Sequence, residues 1–407
     1  MHYISVLNDV LDFNESKKNL ERLGLVVKEY ENLYLVKYDK NKSLMGNEDV
    51  MKCRSIILEK NTNKLVSVAP IKSIDNDIYH KKYIENNANN VIVEEFYDGT
   101  MINVFNYKGE FFISTRSCLG AHCKFSGVKT FNNMFNECIN NEIINKLDSQ
   151  YCYSFLLQHP ENKIVKRYEN PNIILVTTSK IIDNNLQVLD RNQTNKLLNS
   201  CNINFALPKL YELDSMEKIY FHIDKLNDTE QGLVLKCYEN GIDNRTKIRN
   251  TRYNKVRLLK GNSNNKMYLY FELRKNQNML EYLEYFPEDK ELFEKFRLEL
   301  YDFTKRLFNY YISLKVKKDV KFLEIDYEFR PFLNELHSIF NKTKVPITKN
   351  KVIDYLYIQE SARILFAINY NKKKNKKNKK KNKKNKKNKK VNQPQILNLI
   401  DYPILRK

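Results

Sequence analysis

From residue 1 to about 260, short runs of β-branched and aromatic residues recur between polar turns: LYLVKYD, SIILEK, KLVSVAP, VIVEEFYDG, INVFNYKGEFFISTR, NIILVTTSKI and GLVLKCYE. Branched and aromatic side chains pack well on a pleated, half-buried surface, so these runs predict strands of a mixed or antiparallel sheet structure. Within NYKGEF, Lys108 and Gly109 separate two alternating runs, which is a hairpin signal. NNMFNECINNEIINKL (132 to 147) and NQTNKLLNS fit helices better. Residues 1–262 are therefore expected to form an α+β domain.

After about residue 265 the period changes. Leu292, Phe293, Phe296, Leu300, Phe303, Leu307 and Tyr311 recur at three- and four-residue steps, laying one apolar stripe along a helix that begins just after Pro287. Leu280 and Leu283, then Leu333, Leu336, Ile339 and Phe340, then Ile353, Tyr355, Leu356, Leu365 and Phe366 predict further helices. A mainly helical domain is expected over 263–370, with these stripes as its core and no chemistry assigned to them.

Charge changes this picture at one place. Of a net +21, fourteen lysines lie in 371–390, a run of lysine and asparagine alone, which leaves +7 on the rest of the chain. Such a run has nothing apolar to bury and is expected to stay solvated and disordered, holding nucleic acid by counterion release or merely tolerated as the product of an A-rich coding sequence. The segment 391–407 after it is apolar enough to dock but identifies no partner. Seven scattered cysteines, no basic-then-apolar leader and no long apolar span predict a reducing, cytoplasmic setting without membrane contact. Cys118, His122 and Cys123 lack a second ligand pair, so no metal site is assigned.

Several motifs of the first domain combine phosphate-type cations with turn glycines. MKCRSIILEKNTNKLVSVAPIKS carries Arg54 and Lys72, a bidentate guanidinium and a movable point charge that together suit a polyanion. VEEFYDGTMINVF carries Phe96, Asp98 and Gly99, and FFISTRS carries Arg116. YCYSFLLQHPENKIV carries Ser154, with His159 in the following turn as an ordinary loop residue. TEQGLVLKCYENG carries Gln231 before Gly232, and RTKIRNTRYNKVR places Lys247 and Arg249 two apart, on one face of a strand.

In this order, over roughly residues 30 to 260, the motifs resemble the phage-type RNA ligase branch of the covalent nucleotidyltransferases. The resemblance implies an ATP-grasp-like RNA/DNA ligase fold, in which a nucleotide passes to a lysine and then to a nucleic-acid end. It implies that Arg54, Lys72, Phe96, Asp98, Gly99, Arg116, Ser154, Gln231, Lys247 and Arg249 line a nucleotide site. ATP is the implied cofactor. Magnesium is implied too, but its oxygen environment is weakened because Ser154 and Gln231 stand where the family has glutamates. Phe96 occupies the nucleophile position, and the nearest lysines in sequence, Lys82 and Lys108, are fourteen and twelve residues away. A phenyl ring can stack on a base but cannot form a phosphoramidate.

Three functions follow. The first is a degenerate ligase that binds nucleotide and RNA ends without covalent catalysis. The second is an active ATP-dependent RNA ligase with a non-standard nucleophile. The third is a nonspecific nucleic-acid binder acting through its basic tail. By the same resemblance the helical domain helps select RNA, with broken RNA, a tRNA among the candidates, as partner; KVRLLKGNSNNKMYLYFELRK, where basic and aromatic residues alternate, suits contact by charge and stacking. The lysine- and asparagine-rich composition with a ligase-like head suits a large DNA virus.

Overall fold

The computed structural model describes residues 3–10, 12–85, 91–125 and 127–370, so the Lys/Asn run and the segment after it lie outside the described residues. The chain divides into two units, Met1–Asn264 and Asn265–Lys407.

In the first unit the strands are Leu25–Glu29 (β1), Leu33–Tyr38 (β2), Ile56–Glu59 (β3), Leu65–Val68 (β4), Val91–Glu95 (β5), Thr100–Tyr107 (β6), Glu110–Thr115 (β7), Cys118–Leu119 (β8), Tyr151–Gln158 (β9), Asn172–Ile182 (β10), Asn185–Val188 (β11), Leu210–Tyr211 (β12), Gly232–Glu239 (β13) and Ile242–Arg249 (β14). They form three sheets ordered β1-β2-β3-β4, β11-β10-β9-β6-β7-β8 and β12-β5-β13-β14. The paired strands run antiparallel, as in β13 against β14 and β6 against β9. The expected α+β class with antiparallel sheets and a helical C-terminal region holds.

Alternation decides what each face meets. In the six-stranded sheet, Ile102, Val104, Tyr153, Phe155, Leu157 and Leu175 point to one side and pack with Met134, Phe135 and Leu198 from the helices Phe131–Cys138 and Arg191–Ser200. On the opposite side Phe105 and Cys152 meet Leu33, Leu35 and Ile57 of the first sheet. Farther along that side, the register row Asn103, Ser154 and Thr177 is polar and buried. In the β12-β5-β13-β14 sheet, Val93, Leu233, Leu235 and Ile248 form an apolar face against Tyr79, Tyr83, Ile219 and Ile223. Its other face carries Glu94, Phe96, Lys236, Arg245, Lys247 and Arg249, and this is the face that builds the site.

The run 132–147 is not one helix. It breaks at Asn140, whose side chain accepts from the Ile143 amide and caps a second helix, Asn141–Lys146. Asparagine competes for backbone donors in this way, which favours a helix start over a helix interior.

The second unit contains helices Lys266–Lys275, Met279–Tyr285, Lys290–Tyr311, Arg330–Thr343, Lys349–Tyr357 and 361–370. Asn265 caps the first by accepting from the Met267 and Tyr268 amides. The stripe residues Phe303, Leu307, Tyr311, Leu333, Leu336 and Leu356 share one core. Leu280, Ile353 and Phe366, expected in the core from spacing, are instead exposed; spacing places a residue near a stripe, but the neighbouring helix must be wide enough to cover it. Among the described residues no helix is long and apolar enough to cross a membrane.

Candidate functional site

The register of β5, β13 and β14 puts successive charged residues in rows on one sheet face. Ile92, Lys236 and Arg245 make one row, and Glu94, Val234 and Lys247 make the next. Beyond them Gly232 pairs with Arg249, while the Phe96 amide donates to the Gly232 carbonyl (2.9 Å). Gly232 is fixed in this place by space: at φ +131°, an added Cβ would lie 2.1 Å from the Ile248 carbonyl oxygen. With no side chain between them, the Phe96 ring reaches across to β14. Lys247 Nζ lies 4.8 Å from its centroid, and the Arg249 guanidinium 5.5 Å.

Above this floor is a cleft of about 430 Å³ lined by Arg54, Lys72, Arg116, Lys247, Arg249 and Arg257, with Tyr38, Lys40 and the stretch Ser73–Asn76. Asp75 is the acidic residue of that lining. The cations come from well-separated places in the chain, from Lys40 to Arg257. Arg116 follows β7 and stacks on the Tyr38 ring (4.6 Å), donating to the carbonyls of Tyr38 (3.0 Å) and Arg54 (3.3 Å). Arg54 donates to the Pro70 carbonyl (3.1 Å). The segment bearing Lys72 is tied to β14, because the Ile74 amide donates to the Arg245 carbonyl (2.8 Å) and the Thr246 hydroxyl lies 2.9 Å from the Ile74 carbonyl. Bunched like charges repel, and burial first and then Arg54, Arg245, Arg249 and Lys236 push the Lys247 ammonium from 10.5 down to about 6. Nζ makes no hydrogen bond or ion pair among the described residues.

Beneath the cleft lies a buried ionic layer. Lys236 Nζ pairs with Glu94 (2.6 Å) and donates to the Val176 carbonyl (3.2 Å), and Arg191 lies 3.6 Å from Glu94. Arg245 pairs with Asp243 and donates to Thr177 Oγ1 (3.2 Å). Burial outweighs the Glu94 charge and lowers Lys236 to about 8. Glu94, Lys236 and Arg245 were not singled out from the sequence, although the alternation that marked Lys247 and Arg249 extends back to Arg245.

Of the residues expected at a nucleotide site, Arg54, Lys72, Arg116, Lys247 and Arg249 line the cleft, and Phe96 lies under two of them. Asp98 is buried elsewhere: its Oδ2 accepts from the Val165 and Lys166 amides (2.9 Å each), pinning that loop. At Gly99 an added Cβ would lie 2.7 Å from the Leu157 carbonyl oxygen, so the missing side chain serves strand packing. Ser154 Oγ donates to Asn103 Oδ1 (2.9 Å), in the row whose Thr177 receives Arg245. Gln231 accepts the Asn250 amide on its carbonyl (3.1 Å) just before Gly232. Buried His159 accepts from the Glu161 amide on Nδ1 and turns Nε2 to Glu137 (3.0 Å), away from the cleft lining. Among the described residues no three carboxylate, histidine or cysteine side chains gather as metal ligands. Serine and glutamine stand at the two positions where the resemblance implies carboxylates, so neither supplies the anionic oxygen that magnesium prefers.

No family model matches the chain. A protein of Autographa californica nuclear polyhedrosis virus that carries the provisional name bifunctional polynucleotide kinase/RNA ligase is 24% identical over 244 residues; the match spans 54% of this chain and only 34% of the viral protein. Among solved structures, an archaeal ATP-dependent RNA ligase superposes with a TM-score of 0.43 at 15% identity, over 70% of each chain. A Naegleria gruberi RNA ligase with PPi gives 0.37 at 14% identity, over 46% of this chain and 58% of that one. The chain is thus similar, at low identity, to a viral protein named as a kinase/RNA ligase, and spans about a third of that protein's length.

Proposed function

We propose that this protein is an RNA-ligase-like nucleotide and RNA-end binder whose ligand is held by its phosphates in the cationic cleft. The observation that supports this most directly is the convergence of Arg54, Lys72, Arg116, Lys247, Arg249 and Arg257 on one cleft with Asp75 as its acid. A folded protein does not gather like charges in one cleft for stability, and a triphosphate or a 5′-phosphorylated RNA end supplies the missing counter-charge. Guanidinium groups match phosphate oxygens two at a time, and the Phe96 ring offers a face for a base. ATP is the nucleotide we assign, and broken RNA the nucleic acid. Magnesium enters as the counterion of the nucleotide's own phosphates, not as an ion held by protein carboxylates. Phe96 brings no amine, so lysine adenylation at that position is absent.

Equilibrium binding of fluorescent ATP and of 5′-phosphorylated single-stranded RNA tests this. Arg249→Ala, at an exposed cleft position, is expected to weaken both by about tenfold or more, the size of one charge-assisted contact. Unchanged affinity in Arg249→Ala and Arg116→Ala alike would remove the cleft as the binding site.

A further inference from the structure

We propose that Cys118 and Cys123 are a redox-active thiol pair, which a hydroperoxide oxidises to a disulfide that withdraws Arg116 from the cleft. The thiol chemistry stands by itself, and its consequence for ligands rests on the binding function proposed above. Three observations carry it.

The first is the closeness of the two thiols. Thr115 at the end of β7 pairs with Cys118 at the start of β8, so Arg116 and Ser117 are the turn residues between them. After β8 the chain doubles back. Gly120 and Ala121 take left-handed conformations (φ +75° and +51°), and the Ala121 amide donates to the Cys118 carbonyl (3.3 Å). That return sets Cys123 Sγ 3.6 Å from Thr115 Oγ1 and within hydrogen-bonding reach of the Cys118 thiol. Both cysteines are partly exposed. Of the others, Cys53, Cys152 and Cys237 are buried, Cys138 donates to the Met134 carbonyl (3.3 Å), and Cys201 ends the helix Arg191–Ser200.

The second is charge. Lys28 Nζ donates to the Ser117 carbonyl (2.5 Å) and Lys37 Nζ to Ser117 Oγ (3.0 Å), with Arg116 as the next residue of the same turn. The thiolate is the form that reacts with peroxides, and a partly exposed position beside lysine and arginine is where a protein favours it. Burial, and then the neighbouring Cys118, raise the Cys123 thiol above its ordinary value, which fits Cys123 to the second step, that of the thiol resolving an oxidised partner. The steps balance with a hydroperoxide as oxidant. The Cys118 sulfur attacks the outer peroxide oxygen and the O–O bond breaks, leaving a sulfenic acid and an oxide anion that takes up a proton. The Cys123 sulfur then attacks the sulfenic sulfur. The S–S bond forms, the S–O bond breaks, and the hydroxyl leaves as water with the Cys123 proton. The two thiols lose two electrons and the peroxide gains them.

The third is what the pair is joined to. Arg116 reaches the cleft from the turn that ends at Cys118, and its guanidinium is held by the carbonyls of Tyr38 (3.0 Å) and Arg54 (3.3 Å). Disulfide sulfurs lie about 2.0 Å apart, much closer than two thiols in hydrogen-bonding contact, so bond formation draws Cys118 toward Cys123. It also removes the Cys118 S–H that donates to the Leu119 carbonyl (3.4 Å), and disturbs Thr115 Oγ1, which accepts the Ser117 amide (3.3 Å). Hydrogen bonds already at 3.3 Å do not survive a further displacement of about 1 Å. In a reducing setting such a disulfide is transient, which is how a redox sensor behaves.

The test treats the reduced full chain with hydrogen peroxide, alkylates the thiols that remain free, and reads tryptic peptides by mass spectrometry. The peptide Ser117–Lys124 contains both cysteines. It is expected to become lighter by two hydrogens, to carry no alkyl group, and to return to the dithiol with dithiothreitol. ATP binding on the same samples is expected to weaken by about tenfold on oxidation, the size of one charge-assisted contact, and to recover with dithiothreitol. Cys118→Ser and Cys123→Ser are expected to bind ATP as the reduced parent does and to lose the response to peroxide. Peroxide that leaves both thiols free to alkylate, or that joins either one to a different cysteine, overturns the pair. A Cys118–Cys123 disulfide that leaves ATP affinity unchanged overturns the link to Arg116. Absence of ATP binding in the reduced protein overturns the binding function instead, while the mass of Ser117–Lys124 still decides the thiol chemistry.

Discussion

Lys247 is held at a cost that its neighbours set, and that cost has a pH dependence of definite sign. Its folded pKa is near 6 against 10.5 in the open chain, so between those values the unfolded protein binds a proton that the folded one lacks. Stability from this residue therefore rises with pH across the window from about 6 to about 10.5, opposite to a lysine that gains a carboxylate partner. Replacing it with methionine, which fills similar space without an amine to desolvate, removes the penalty. Lys247→Met is expected to raise Tm by roughly 2–4 °C at pH 7, the shift that about 1 kcal/mol produces in a domain of this size, and the gain should shrink as pH approaches 10. Differential scanning calorimetry at pH 7 and pH 9.5 measures it. A variant less stable than the parent at pH 7 would mean that the amine is well solvated or paired. A bound triphosphate draws the Lys247 pKa upward, and Arg245 and Lys236 beneath the cleft oppose the drift.

At the scale of strands, the charged face of the β12-β5-β13-β14 sheet stands on the Glu94–Lys236 pair, of which neither side chain is more than 5% exposed. A buried pair contributes little over an apolar replacement, but one partner left alone is expensive. Glu94→Leu is therefore expected to lose about 3–5 kcal/mol in urea denaturation, whereas Glu94→Leu with Lys236→Met recovers most of that loss. If the double variant is as unstable as the single one, the pair is needed for more than charge balance. This layer also shows where sequence patterning stops. The strands from LYLVKYD to GLVLKCYE were legible because each needs only its own alternation, and the cations Arg54, Arg116, Lys247 and Arg249 were legible because residue type and motif order sufficed. Glu94, Lys236 and Arg245 were not, since their meeting depends on the pairing of β5 with β13 and of β13 with β14, which no local period encodes. The roles of Asp98 and Gly99 needed the fold too: an Asp-Gly pair in sequence does not say that the carboxylate will hold the 165–166 amides, or that the glycine will lie against Leu157.

For the molecule as a whole the question is which positive charge does the binding. Fourteen lysines of the net +21 stand in 371–390, whereas the cleft cations belong to the first unit. The two differ in what they can recognise. A lysine run neutralises phosphates wherever it meets them, while the cleft imposes a geometry suited to the end of a strand. Salt separates them, because each single-strand phosphate neutralised contributes about −0.7 to the slope of log K against log salt. Deleting 371–390 is expected to reduce that slope for long single-stranded RNA and to weaken its binding severalfold at low salt. A slope of about −2 to −3 should remain, equivalent to roughly three or four phosphates in the cleft. Preference for a 5′-phosphate over a 5′-hydroxyl should survive the deletion and disappear in Arg116→Ala with Arg249→Ala. If the truncated chain instead loses all RNA affinity while still binding ATP, the tail is the nucleic-acid contact and the cleft serves the nucleotide alone.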